Sequence, residues 1–440
     1  MTELINKDFM LENRFRRLRL LLWMLLIMLH LVTSFHRVSF NVLADPLTAQ
    51  FGLSGVGLGN LAAAYTYMYV LMQIPGGIFV DRLGPRRIAF LTGMSMAAGS
   101  ILIGLAPAAS YIFLGRMLIG FGGSIVLINI FKFQASWFRR IEFATMSGFA
   151  LLISTGGSLL AATPLAAAVS AYGWRLSFIV FGVVTVLIAL VSALLVRNSP
   201  ADIYGPSINL SGIDSSDVKA APFNIKVLSA VLSNRRILIP FLINFGTYGG
   251  FIVFAGTWGV SYLVHVYGIN VEQASTYMTF AYMGYMIAAP SAGMLSARLN
   301  SLKIPTLAMV ASAVLFWLLL IIWPGGRIPL WMFYFISLLI GFGGASTVLS
   351  FPMARAVSIP GYTGIITAAV NLGVFLGMAV LQPLFGLLLD KGWTGMVLDG
   401  VRIYPPEAYR FGFMVALIFA VISLVSTLVY REQVLDKPGQ

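Results

Sequence analysis

The hexapeptide Leu118-Ile119-Gly120-Phe121-Gly122-Gly123 recurs unchanged as Leu339-Ile340-Gly341-Phe342-Gly343-Gly344. The separation, 339 − 118 = 221 residues, is about half of the 440-residue chain. A looser pair keeps nearly the same spacing. Gly77-Ile-Phe-Val-Asp81-Arg82-Leu-Gly84-Pro-Arg86-Arg87 matches Gly293-Met-Leu-Ser-Ala297-Arg298-Leu-Asn300-Ser-Leu-Lys303, and Tyr69 falls opposite Tyr285. Two collinear matches read as an internal duplication. Duplicated halves in a membrane protein place a ligand site at the pseudo-symmetric interface.

Both copies sit in apolar surroundings. Hydrophobic residues make up 59% of the chain and charged residues 10%, against about 25% charged in soluble domains. The excess falls in long runs, and about 20 apolar residues span a bilayer as a helix. Backbone groups find no water in lipid, so these runs are expected to be helical. The alternating ten-residue segments of an outer-membrane barrel are absent.

The runs divide into six spans at roughly 18–42, 56–80, 87–106, 110–133, 144–169 and 174–196. Six more follow at roughly 237–264, 273–297, 303–323, 329–354, 362–389 and 409–430. Between them, residues 198–236 are polar, with Pro200, Gly205, Pro206, Gly212, Asp214 and Asp217, and read as a surface linker. The expected architecture is an all-α membrane protein with twelve transmembrane helices in two pseudo-symmetric six-helix bundles, residues 1–197 and 237–440. The first apolar run continues from Leu18 to about Leu43 without a signal-peptidase site, so it reads as a retained span.

The net charge of +13 follows the same division. Of 28 Lys and Arg, 20 lie at or beyond span ends on one side and 5 on the other. Positive residues mark the cytoplasmic face, so both termini and the linker are expected there, in a bacterial inner membrane. The bias accounts for the basic character without a nucleic-acid partner. Cysteine is absent, which excludes disulfides and thiol-based metal sites. Nothing in the sequence calls for a cofactor or metal. The glycines of LIGFGG lack a following Lys-Ser/Thr, so they are not a phosphate loop.

These residues resemble the major facilitator superfamily of secondary transporters. The loop at residues 76–87, GGIFVDRLGPRR, looks like the superfamily's motif between its second and third helices. Arg116 with Gly120 resembles its fourth-helix pattern. Within the superfamily, Phe35-His36-Arg37 with Asn41, and residues 67–77, look like the organic anion branch. His36 stands where that branch carries an acidic residue before the arginine, and Gly123 where it often carries a glutamate. The resemblance implies alternating access and a transport function, not an enzyme.

A charge inside a membrane costs about 2.5–3.5 kcal/mol on insertion scales, so each is a site candidate. Arg37 is about nineteen residues into the first span, and its planar fork suits a carboxylate or phosphate. The substrate-binding candidates are Arg37, His36, Tyr69, Asn371, Tyr285 and Tyr248, with Tyr65, Trp258 and Tyr282 behind them. His36 and His30 are the coupling candidates, because no carboxylate lies mid-span and histidine titrates near neutral pH. Asp81, Arg82, Arg86, Arg87 and Arg116 are the gating candidates, with Asp81 expected to meet an arginine at the inner mouth. Lys132 reads as a snorkelling anchor. The expected function is import of a small organic anion or zwitterion with protons, by a monomer in the lipid bilayer. The alternatives are a proton-coupled exporter of an amphiphilic drug or siderophore, or a non-transporting sensor on the same fold.

Overall fold

In the computed structural model, residues 2–204, 234–324, 327–356 and 363–432 are described. Most of the expected linker lies outside them. The chain runs α1 (Thr2–Val38), α2 (Phe40–Phe51), α3 (Gly55–Gly104), α4 (Ala109–Trp137), α5 (Arg140–Leu160), α6 (Thr163–Leu195) and the short α7 (Ala201–Tyr204). It continues through α8 (Arg235–Val253), a π-helical turn (Phe254–Trp258), α9 (Gly259–Tyr267), α10 (Val271–Leu299), α11 (Lys303–Ile322), α12 (Leu330–Gly344) and α13 (Thr347–Ala356). Helix α14 (Thr363–Lys391), a small antiparallel hairpin (Val397–Leu398 with Val401–Arg402) and α15 (Pro406–Val429) complete it.

Nine helical stretches among the described residues are long and apolar enough to cross a membrane. The expected fifth and sixth spans form one of these, Thr145–Leu195. The second and third share α3, which turns at Gly84 (φ 74°, ψ 163°). The eighth is α10, 29 residues long but rich in tyrosine, serine and threonine. The protein is therefore an all-α membrane protein whose apolar runs are helices.

The helices gather into two compact units. The first comprises Met1–His36, Leu71–Ser158 and Arg175–Val218; the second comprises Arg37–Val70, Leu159–Trp174 and Lys219–Gln440. The duplication is visible inside each. In the first unit a Cβ on Gly122 would stand 2.5 Å from the carbonyl oxygen of Thr92. In the second a Cβ on Gly343 would stand 2.5 Å from the Cβ of Ala313. Residues 92 and 313 are 221 apart, as are 122 and 343. Small residues let helix backbones approach where lipid offers no hydrophobic drive between helices. The contact has a second part. Ser95 Oγ donates to the Leu118 carbonyl at 2.7 Å, and Ser312 Oγ to the equivalent Leu339 carbonyl at 3.0 Å.

The second unit has an aromatic core. Phe254 meets Phe316 edge-on at 4.9 Å, Phe316 meets Trp317 at 5.0 Å, and Phe413 meets Tyr262 at 5.1 Å. Such pairs add about 1 kcal/mol each beyond burial. The π-helical turn opens the backbone ladder beside this core. Asn41 fills the opening: its Nδ2 donates to the Ala255 carbonyl, and its Oδ1 accepts from Val260 N at 3.0 Å. π-turns of this kind are frequent at functional sites.

Candidate functional site

Arg37 is the penultimate residue of α1. Its Nη1 donates to the Tyr248 hydroxyl at 3.1 Å, and its guanidinium lies 5.8 Å from the centre of the Phe375 ring. It also interacts with Tyr65 and Tyr69. These rings form a continuous wall within the second unit. Tyr69 stacks on Phe375 at 3.7 Å and meets Tyr65 at 5.7 Å. Tyr248 meets Phe251 at 5.8 Å and Tyr285 at 6.0 Å, and Phe251 stacks on Tyr285 at 5.7 Å. Tyr282 closes the row at 5.5 Å from Phe251.

Helical spacing explains why these residues converge. Tyr65 and Tyr69 are one turn apart on α3, as are Asn371 and Phe375 on α14, and residues four apart share a face. Tyr282 and Tyr285 do the same on α10 at a spacing of three. Tyr65, Tyr69 and Tyr282 are buried, while Arg37, Tyr285 and Asn371 keep part of their surface accessible.

No carboxylate pairs with Arg37 among the described residues. Its partners are tyrosine hydroxyls and a phenylalanine face, and a cation–π contact supplies about 0.5–2 kcal/mol. That is small against the cost of holding a charge away from water. Two buried polar atoms nearby, Arg37 Nε and the Tyr282 hydroxyl, have no hydrogen-bond partner among the described residues. A planar cation with free donors, ringed by hydroxyls, is suited to a bidentate oxyanion such as a carboxylate or sulfonate.

The other sequence candidates lie in different settings. His36 is fully buried in the first unit, among Phe35 (5.3 Å), Phe178 (5.8 Å) and Phe181 (5.7 Å). Its carbonyl belongs to the last turn of α1, where backbone acceptors lack helical donors. Arg116 Nη1 donates to it at 2.6 Å. The His30 carbonyl accepts from Ser154 Oγ at 3.3 Å. Trp258 is buried in the π-helical turn, stacked on Phe385 at 5.8 Å.

The motif loop is tied down within the first unit. Gly84 holds a positive φ, and a Cβ there would lie 2.7 Å from Asn198 Oδ1. That oxygen accepts from Arg86 N at 3.1 Å, while Arg86 Nε donates to the Ala193 carbonyl at 2.6 Å. Asn129 Nδ2 reaches the Pro85 carbonyl at 3.1 Å. Asp81 pairs with Lys132 at 3.2 Å where an arginine was expected, because α4 carries Lys132 to the loop. Arg82 and Arg87 are exposed.

Three features escaped sequence reading. Phe375 and Phe251 look like any ring in an apolar run. The contact of Asp45 with His265, at 3.4 Å, joins residues 220 apart with no local pattern. Lys132 is typical of a span end, so nothing marks it as a partner for Asp81.

Comparison with known proteins bears on this geometry. The model of the Major Facilitator Superfamily matches residues 25–380. "Probable sulfoacetate transporter SauU" of Cupriavidus necator is 23% identical over 66% of this chain and 67% of its own length. "Probable galactarate/D-glucarate transporter GudP" of Bacillus subtilis is 24% identical over 57% of this chain and 59% of its own. The chain thus aligns with about three fifths to two thirds of these relatives. Among solved structures, a bacterial homologue of the human lysosomal transporter Spinster superposes with a TM-score of 0.74 at 17% identity, covering 94% of this chain and 96% of that one. The nucleoside transporter NupG gives 0.68 at 11% identity, over 92% and 99%. These two likenesses concern the fold.

Proposed function

Since the chain belongs to the major facilitator superfamily, and is a multi-pass membrane transporter rather than an enzyme, we propose that it imports a small organic anion together with protons. The observation that carries this reading is Arg37: a guanidinium among tyrosines and Phe375, with no carboxylate partner among the described residues. An incoming carboxylate or sulfonate would supply the missing counter-charge. Tyr69, Tyr248 and Tyr285 would hydrogen-bond its remaining oxygens, and Asn371 would add an amide one turn from Phe375. The similarity to proteins named for sulfoacetate and galactarate/D-glucarate, both organic anions, points the same way.

The distribution of positive charge supports cytoplasmic termini in a bacterial inner membrane. The duplicated halves support alternating access within one chain. Protons would offset the charge of the anion against a membrane potential worth about 2.3 kcal/mol per charge per 100 mV. His36 and His30 are candidates for that coupling, and Asp81 with Arg82, Arg86, Arg87 and Arg116 for gating the inner mouth.

The test is counterflow and proton-driven uptake of sulfoacetate, glucarate and a neutral sugar in proteoliposomes. The expected result is exchange of an anion but not the sugar, with Arg37→Lys weakening apparent affinity at least tenfold. Equal transport of the neutral sugar, or normal affinity in Arg37→Lys, would reject the reading.

A further inference from the structure

The chain has three histidines. His36 is walled in by phenylalanines. His265, on α9, has polar groups on both ring nitrogens. Nε2 faces Asp45 Oδ1 of α2 at 3.4 Å. Nδ1 lies 2.9 Å from the Tyr409 hydroxyl of α15. Asp45 Oδ1 also accepts from Ser261 Oγ at 2.8 Å. The imidazole side chain is 2% exposed and the carboxylate 15%. We propose that Asp45 and His265 form a proton-binding latch, which fastens the segment following Arg37 to α9 and α15 when the imidazole is protonated. The proposal rests on and deepens the proton-coupled reading above by adding His265, beside His36 and His30, as a place where a proton binds.

The geometry suits a site that changes charge without breaking hydrogen bonds. With the imidazole neutral, Nε2–H faces the carboxylate and Nδ1 accepts from Tyr409. A proton added at Nδ1 makes that nitrogen a donor, and the Tyr409 hydroxyl can accept as readily as donate. What changes is the contact with Asp45, which becomes a shielded ion pair. Imidazole is the side chain whose ordinary titration spans pH 5 to 8.

The other groups packed there are already engaged or uncharged. The Tyr404 ring lies 6.1 Å from His265, and its hydroxyl donates to Asp390 Oδ1 at 3.0 Å. Arg402 stays with Asp390 at 3.6 Å. Tyr262, on the same helix as His265, meets Tyr409 at 5.2 Å. Arg410 turns its Nη2 to the Trp323 carbonyl at 3.3 Å. Asp45 is thus the carboxylate that contacts the imidazole among the described residues. Eight residues separate it from Arg37, so fastening or freeing α2 acts on the segment that carries the anion-binding arginine.

The chain contains no cysteine, so paired spin labels report only where they are placed. Gln50 and Gln273 are exposed, at the end of α2 and the start of α10. With labels at Gln50→Cys and Gln273→Cys, the latch gives one narrow distance population at pH 5.5 and a second, longer one growing in by pH 8. His265→Gln and Asp45→Asn, each made in that background, abolish the pH response. Persistence of the response in both variants overturns the latch. As a check independent of variants, nitrogen NMR of the labelled histidines should show His265 carrying its proton on Nε2 at high pH; the Nδ1 tautomer overturns it. Neither readout needs transport. A pH-driven latch with proton-independent uptake would reject the coupled-import reading alone. Proton-driven uptake with pH-independent distances would reject the latch alone.

Discussion

The two copies of the loop, residues 76–87 and 293–303, fasten themselves alike with different residues. In the first, Arg86 N is held by Asn198 Oδ1, and Arg86 Nε reaches the Ala193 carbonyl near the end of α6. In the second, Lys303 N is held by Glu432 Oε1 at 2.7 Å, and Lys303 Nζ reaches the Leu428 carbonyl at 2.7 Å near the end of α15. Asn198 and Glu432 each stand three residues beyond their helix. The turn is not the same: Gly84 lies at φ 74°, ψ 163°, a region open essentially to glycine alone, whereas Asn300, opposite it, lies at φ 47°, ψ 40°, in the left-handed helical region. Asparagine is one of the few other residues that visit this region routinely.

The charge pair differs as well. Asp81 and Lys132 pair in the first copy. Ala297 stands opposite Asp81, and Met353, 221 residues after Lys132, is fully buried. Both partners are gone together. The clamp, found in both copies, therefore serves the fold of each half. The Asp81–Lys132 pair, present once, serves something the duplication does not need twice, which we read as gating.

Making the first copy like the second breaks this comparison most severely. Asp81→Ala with Lys132→Met should lower uptake by on the order of tenfold or more. Thermal stability should change little, because a pair this exposed contributes about 0.2–1 kcal/mol. Uptake rates and unfolding midpoints from one preparation check both halves of the claim. A loss of uptake matched by a collapse in stability would return the pair to a structural role.

The turn gives the next largest effect. Gly84→Ala should destabilise by about 1–3 kcal/mol, because φ 74° with ψ 163° is a backbone region open essentially to glycine alone, with the crowding against Asn198 added. Gly84→Asn should cost at least as much, since asparagine tolerates the left-handed helical region and not this one, and Asn300→Gly should be nearly neutral. Thermal unfolding of the three variants ranks them.

The smallest effect separates the clamps by pH. Partial burial works to raise the Glu432 carboxyl. The Lys303 N–H and Ser301 hydroxyl, with the Leu302 N–H, outweigh it and hold the group below its usual value. A depressed carboxylate contributes stability that is complete above its ordinary value of about 4.3 and is lost as pH falls through the depressed one. The second clamp should therefore weaken in acid and the first should not, since Asn198 does not titrate. Glu432→Gln should remove a shift of roughly a degree or two between the unfolding midpoints at pH 6 and pH 3.5. An unchanged pH profile would show that the carboxylate is not the clamp.

Much of this was legible in the sequence, for identifiable reasons. The spans follow from apolar runs that have no other soluble explanation. Arg37 stands out because a guanidinium within such a run is costly, and Tyr69 and Tyr285 because the repeat aligns them. Gly84 was legible as a motif residue, but its contact with Asn198 was not, since the two are 114 positions apart. The arginines around Asp81 in sequence suggest an arginine partner, whereas Lys132 reaches it through the packing of α4. Phe375 carries no mark that distinguishes it from its apolar neighbours. The fit of Asn41 to the π-helical turn depends on a backbone irregularity that hydropathy does not encode.

The most direct test is calorimetric titration of the purified protein with sulfoacetate and with glucarate, comparing Arg37 with Arg37→Gln. Removing a bidentate charged contact from a buried site should weaken binding of the accepted anion at least tenfold, about 1.4 kcal/mol. Binding of that anion by Arg37→Gln with an unchanged Kd would contradict the account.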